Sequence, residues 1–275
     1  MKASEHVINS WAWVAGRPSF RKLNNFFLSL ALRGLGVGNM GNLDGEMLAL
    51  SRLAPAWRRL GAKAVFVDVG ANEGKYAAEL CRLCPEARVL AFEPHPETAA
   101  RLQKRLGTTV EVQALAMGSE PGRATLWDYA QQQAGTSHAS LLQGVIEVHH
   151  RSVSSGVNVA VTSLDVFCTE HGVDRIDHLK LDVEGGELAC LRGASRLIAQ
   201  QRIGTLQFEF NAMNVTSRVF FHDFVDALPH FRFYRLLAHG LMDLPVSDVL
   251  RCNFYGIQNI LAVSPRVIAE QPDQW

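Results

Sequence analysis

The segment HLKLDVEGGE, residues 178–187, carries the residues best suited to chemistry. Lys180, Asp182 and Glu184 alternate there with Leu179, Leu181 and Val183. Side chains alternate faces along a strand, so the spacing predicts a cation and two carboxylates on one face. Ionised groups are expensive to bury unless a partner or a function holds them. Such a trio ending an apolar run is therefore a candidate for binding a polar ligand or moving a proton. Asp182 ranks first, as the polar group beside a ligand amine or a substrate hydroxyl. Lys180 would balance the carboxylates or hydrogen-bond the substrate. Glu184 and Glu187 flank Gly185–Gly186, a turn that permits close backbone approach. The alternative is a charge cluster that neutralises itself at the strand end.

Two further sets converge on the same expected edge. VDVGANEG places Asp68, Gly70, Asn72, Glu73 and Gly74 in a glycine-rich turn leaving an apolar strand. A following helix supplies free N–H groups at its start. The next strand ends on Glu93, 19 positions after Gly74, where a carboxylate can accept hydrogen bonds from both ribose hydroxyls of a nucleoside. The dinucleotide pattern G-x-G-x-x-G is absent, which disfavours a nicotinamide-dependent oxidoreductase. Glu209 ends a later strand, and with Asp182 it offers oxygen ligands to a divalent cation. A hydrogen-bonding pair behind the site is the favoured reading, so a metal is admitted but not expected. Of ten histidines, His138, His149, His150 and His222 lie in segments able to cover a pocket, where a neutral imidazole is a suitable general base. Each taken alone reads as a surface or loop residue.

These groups need a scaffold. Strand-like segments at 64–70, 88–94, 109–117, 178–184, 205–211, 232–238 and 259–265 alternate with helical ones at 75–84, 96–106 and 187–201. Residues 123–129 read as a hairpin-style strand, and 130–160 as loops with one or two short strands. Thr162 with Asp165 matches a capping box opening a helix that Gly172 ends. The alternation predicts an α/β fold: a doubly wound, mainly parallel sheet with helices on both faces and an inserted β-hairpin region. Ligands bind beyond the carboxyl ends of such strands.

Residues 1–60 read as an N-terminal helical extension and 61–275 as the main domain. FRKLNNFFLSLALRGLG (20–36) is an apolar or amphipathic helix, read as packing on the main domain or on a second subunit in a homodimer. Peripheral membrane contact is the alternative, with a thin basic face of Arg21, Lys22 and Arg33.

Lys plus Arg equals Asp plus Glu at 27 each, so no electrostatic footprint for nucleic acid exists. No apolar run approaches the roughly 18 residues of a membrane span. MKASEHVINSWAW lacks the apolar core of a signal peptide, and five cysteines show no disulfide spacing. Cys81 and Cys84 fall on a helical apolar stripe. A cytoplasmic protein is the simplest expectation.

FVDVGANEGKYA, AFEPHPE, ALAMGSEPGRATL, TSHASLL, VTSLDVF, HLKLDVEGGELACLRGA and LQFEF stand in an order that resembles the FkbM-type family of S-adenosylmethionine-dependent methyltransferases, class I and Rossmann-like. LDGEML (43–48) is similar to an acidic segment preceding the domain in that family, and the resemblance covers about residues 43 to 264. It implies a seven-stranded methyltransferase sheet. Asp68, Gly70, Asn72, Glu73 and Gly74, with Asp182, would surround the methionine part of S-adenosyl-L-methionine. Asn72 stands where the family loop has its middle glycine. Glu93 would hold the ribose, with Pro94 and His95 beside the adenine and Ala116 and Met117 as its other wall. His138 replaces the commoner serine in its motif, and for that position it is the favoured histidine. The implied activity is O-methyl transfer to a hydroxyl of a sugar, glycan or secondary metabolite. A non-catalytic nucleoside-binding module of the same fold is the alternative.

Overall fold

The computed structural model describes residues 3–38, 41, 45–131 and 135–271. Two helices come first, α1 (Ala3–Ala15) and α2 (Arg21–Gly34). α3 (Glu46–Arg58) leads into β1 (Val65–Val69), α4 (Lys75–Leu83), β2 (Arg88–Phe92), α5 (Pro96–Leu106) and β3 (Glu111–Gln113). An insertion follows with β4 (Ala116–Met117), β5 (Gly122–Tyr129) and β6 (Ser154–Thr162). α6 (Leu164–Glu170), β7 (Ile176–Leu181), α7 (Glu187–Arg192), α8 (Ser195–Ala199) and β8 (Ile203–Phe210) continue the core. The chain then forms α9 (Met213–Ser217), α10 (Phe221–Ala227), β9 (Arg232–Leu237), β10 (Gly240–Asp243), α11 (Val249–Cys252), β11 (Gln258–Val263) and α12 (Pro265–Glu270).

Eight strands form one sheet in the order β10-β9-β11-β8-β7-β1-β2-β3. β3, β2, β1, β7 and β8 pair in parallel, and β11 runs antiparallel between β8 and β9. The sheet has one strand more than expected: β10 turns back from β9 and lengthens the edge. Period-two alternation sends each strand's residues into two separate cores. Val67, Val69, Leu179, Leu181, Leu206 and Phe208 meet α6, α7, α8 and α10 on one face. Phe66, Val89, Leu261 and Val263 meet α3, α4 and α12 on the other. Each such fully buried aliphatic or aromatic side chain contributes about 1.5–3 kcal/mol. α3, grouped by sequence with the extension, thus packs on the sheet through Leu50, Leu53 and Trp57.

Three local expectations need correction. Residues 109–117 are not one strand: β3 ends the large sheet, whereas β4 joins a separate three-stranded sheet in the order β4-β6-β5. Residues 187–201 are not one helix, because α7 and α8 break at Gly193–Ala194. A Cβ on Gly193 would sit 2.1 Å from the Gly118 carbonyl oxygen, so the chain turns where β4's exit crosses it. Finally, Ser163 rather than Thr162 caps α6, accepting from the Val166 N–H at 3.4 Å. Asp165 instead accepts from Arg196 N–H at 2.8 Å and Leu197 N–H at 3.0 Å, supplying the missing cap of α8.

Candidate functional site

β1 is followed by β2 on one side and flanked by β7 on the other, so the winding reverses at β1. A reversal of this kind opens a crevice beyond the carboxyl ends of the strands. Gly70 leaves β1 with φ +84° and donates to the Phe92 carbonyl at 2.9 Å. A Cβ there would lie 1.8 Å from the Asp182 carbonyl oxygen, so this glycine is needed where two loops touch. Asn72 takes φ +44°, an excursion that asparagine tolerates better than most residues. Its N–H donates to Glu93 Oε2 at 3.0 Å, and His95 N–H donates to Glu93 Oε1 at 2.8 Å. Glu93 therefore ties the β1 and β2 loops together, with lone pairs left on both oxygens. Burial raises its carboxyl pKa, against the lowering by those two amides.

A cleft of about 120 Å³ opens between these loops. Val69, Gly70, Asn72, Glu93 and Pro94 form one side, and Leu115, Ala116 and Met117 an apolar wall. Asp182, Val183, Gly186 and Ala189 form the other side. Leu126, Thr136, Ser137, Ala139, Leu141 and Leu142 of the insertion cover it, and none of these six was singled out from sequence. TSHASLL carried the signal, but only its histidine has an obvious chemical function. Asp128 orders this cover: it accepts from the N–H groups of Gly135 and Thr136, each at 2.8 Å, and from the Thr136 hydroxyl at 2.6 Å. Ser140 then donates to the Glu184 carbonyl at 2.9 Å, fastening the cover to the turn after β7.

Lys180, Asp182 and Glu184 do not share one face. β7 ends at Leu181, and Glu184 takes φ +52° in the turn that follows. Only Lys180 and Asp182 stay together, at 3.5 Å. The Lys180 ammonium is buried away from the cleft, 2.6 Å from Glu46 of α3 and 5.3 Å from the Tyr76 ring centroid. Burial alone would lower its pKa, but Glu46 and Asp182 hold it well above the usual value. Glu46 also accepts from Gln207, which joins Tyr76 and His178 in a buried network beneath the site. Glu46 belongs to LDGEML; Leu43 and Asp44 of that segment lie outside the described residues.

The Asp182 side chain is 39% exposed, facing the cleft. Around it are carboxyls whose pKa burial raises: Glu184 is pushed up to about 9 and Glu209 to about 7, each also raised by Asp182. Burial lifts Glu187 to about 7, although it accepts from Val183 and Gly185 N–H, both at 3.1 Å, and so clamps the turn. Asp68, buried below the loop, is likewise raised to about 7 by burial, with Lys180 opposing. Asp68 Oδ2, Glu184 Oε2 and His95 Nδ1 have no hydrogen-bond partner.

Several expected residues lie off the cleft wall. Glu73 is exposed and pairs with Lys75 at 2.9 Å, because it follows the loop's outward turn. Gly74 faces Leu102 and Leu106, where its φ of +71° starts α4. His138 stands in the cover with Nδ1 2.8 Å from the Tyr129 hydroxyl and its ring stacked on His150 at 4.5 Å. Glu209 is half-buried at the end of β8, off the cleft wall, and no three His, Cys, Asp or Glu side chains among the described residues converge as metal ligands.

A family model described as the methyltransferase FkbM domain matches residues 68–236, more than half of the chain. The 2-O-methyltransferase NoeI of Sinorhizobium fredii is 27% identical over 152 residues, covering 50% of this chain and 60% of that protein. The methyltransferase sdnD of Sordaria araneosa is 29% identical over 159 residues, covering 49% and 61%. The chain thus spans about three fifths of the length of these relatives. A crystal structure of methyltransferase FkbM from Methylobacillus flagellatus overlays with a TM-score of 0.42 at 16% identity, covering 72% of this chain and 43% of that one.

Proposed function

The chain belongs to the FkbM methyltransferase family, and on that premise we propose that the crevice binds S-adenosyl-L-methionine and delivers its methyl group to a hydroxyl oxygen of a sugar, glycan or secondary metabolite. The observation that carries the reading is Glu93. It is fixed by the amides of Asn72 and His95 at the rim of a cleft whose other rim presents Asp182.

The residues fit the cofactor. Glu93 keeps acceptor capacity for ribose hydroxyls, and Pro94, Leu115, Ala116 and Met117 offer apolar surface for a purine. Asp182 lines the cleft where a cationic ligand would sit, and the unpartnered Asp68 and Glu184 oxygens lie behind that lining. Bound there, the cofactor would supply an activated methyl group on a sulfonium, so that an S–C bond breaks as the O–C bond forms. The chain's own task is orientation, which accounts for roughly 7–11 kcal/mol in well-aligned systems, against about 10²–10⁴-fold for a general base. Asp182, half-exposed on the cleft wall, would receive the hydroxyl proton. His138, bonded to Tyr129 in the cover and off the cleft wall, would serve as a second acceptor only if the cover shifts toward the acceptor. Oxygen as the acceptor atom draws support from the relative named a 2-O-methyltransferase.

Calorimetry with S-adenosyl-L-methionine, its demethylated product and NAD tests the binding step. Binding of both sulfur compounds and not NAD is expected; preference for NAD would overturn the proposal. Binding without transfer to any sugar or hydroxylated metabolite in a panel would leave the nucleoside-binding module as the better reading.

A further inference from the structure

The hairpin of α1 and α2 presents an apolar surface that the domain does not cover. Trp13 is 76% and Phe26 61% exposed, and Val7, Ile8, Leu28 and Leu30 are also exposed. No residue of α2 is buried. Trp11 closes the hairpin on Phe27 with ring centroids 5.7 Å apart. Soluble proteins rarely leave a contiguous patch of this kind open without a partner.

Charge decides which partner. In a chain with no net charge, described residues 5–38 carry Arg17, Arg21, Lys22 and Arg33 against Glu5 alone. Among the described residues none of these four cations pairs with a carboxylate, and Arg17 lies over the Trp13 ring at 5.5 Å. A two-fold contact with a second copy would bring a second set of the same four cations to the seam, with Glu5 of each copy as the one carboxylate among described residues 5–38 to balance them. Aromatic side chains beside basic ones instead suit the headgroup level of an anionic bilayer, and each cation near such a surface contributes about 1 kcal/mol. Helices of 13 and 14 residues rise only about 20 Å, short of the ~30 Å hydrocarbon core, so they would lie in the interface plane.

We propose that the α1–α2 hairpin docks this protein on an anionic lipid surface. The hairpin's root fixes its position relative to the crevice. Buried Arg235 of β9 donates to the Leu35 carbonyl at 3.2 Å, and Gly38 N–H donates to the Ile257 carbonyl at 2.8 Å. Gly36, with φ +73°, abuts the Leu236 carbonyl at the carboxyl end of β9. Ile257 immediately precedes β11, whose Gln258 pairs with Phe210 at the carboxyl end of β8. The hairpin is therefore rooted on the carboxyl-end side of the sheet, the side on which the crevice opens, so an acceptor carried on the same lipid surface would face that side. Docking rests on no part of the methyl-transfer reading.

Flotation of the full chain with vesicles of equal parts phosphatidylglycerol and phosphatidylcholine tests it, with phosphatidylcholine alone as the comparison. Binding to the anionic vesicles, weakened by salt, is expected. Arg21→Glu with Lys22→Glu should weaken it about tenfold or more. Phe26→Ser with Leu30→Ser should weaken it as well, with the parent's thermal unfolding retained because these side chains are exposed. Failure to float with anionic vesicles, or flotation indifferent to both double variants, would overturn the proposal. So would a dimer by light scattering that dissociates on Phe26→Ser and does not float, which would give the face to a second copy.

Discussion

Among the carboxyls around the cleft, burial separates the one that faces ligand from those behind it. Glu184, pushed up to about 9, is protonated near neutral pH, whereas Asp182 is half-exposed and lies 3.5 Å from the Lys180 ammonium. Glu184→Gln mimics the protonated acid and should change the methyl-transfer rate only a few-fold. Asp182→Asn removes the proposed proton acceptor and should lower kcat by about 10²–10⁴-fold. Single-turnover rates of the two variants check this, and the reverse order would move the acceptor to Glu184. Gly70 gives a second contrast at this scale. Its Cβ would strike backbone, not a flexible side chain, so Gly70→Ala should destabilise by about 3 kcal/mol or more. Gly172, at φ +64° with open space around it, should lose only about 1–2 kcal/mol on the same change. Urea unfolding of both variants makes the comparison.

Elements set by local pattern were legible. Helix α5 spans Pro96–Leu106 as its apolar stripe and terminal glycine predict, and β1 and β2 fall where their apolar runs lie. The acidic strand end at Glu93 followed from the strand–loop spacing, whereas the place of Asn72 came from the family resemblance. What escaped was decided by distant contacts. The break between α7 and α8 comes from Gly193 against Gly118, and β3 and β4 separate because they join different sheets. Alternation likewise could not show that β7 stops at Leu181, which removed Glu184 from the expected face. The covering residues are small or apolar, and only the fold of the insertion gives them a task. Asp165 illustrates the same point energetically, since a spacing that suggests its own helix's capping box serves α8. Asp165→Ala should cost about 1–2 kcal/mol and Thr162→Ala less, read from urea midpoints at constant slope. Equal losses would contradict the assignment of Asp165 as the cap of α8.

At the scale of the molecule, the buried carboxyls make stability and ligand binding respond to pH in opposite directions. Asp68, Glu187 and Glu209 titrate near 7 in the folded chain, raised first by burial, and near 4 when unfolded. The folded state then holds more protons across that interval, so the stability these groups supply is full below about pH 4 and falls as pH rises through about 7. Glu184 extends the decline toward 9. Opposing them, Glu79 and Glu111 are lowered by hydrogen bonds from Arg82 and Arg88, and their small exposed contribution is lost below about pH 4. The ligand-free protein should accordingly melt highest on the acid side of neutrality; a melting temperature rising steadily from pH 5 to 8 would contradict it. A cationic ligand in the cleft beside Asp182 favours the ionised forms of the raised carboxyls behind it, and its binding below about pH 7 should release protons. Affinity for S-adenosyl-L-methionine should therefore increase from pH 5.5 to 8, while ligand-free stability declines over the same range. Calorimetry in two buffers of different ionisation enthalpy measures the released protons directly. Proton uptake on binding would show that the raised carboxyls do not face the ligand's charge.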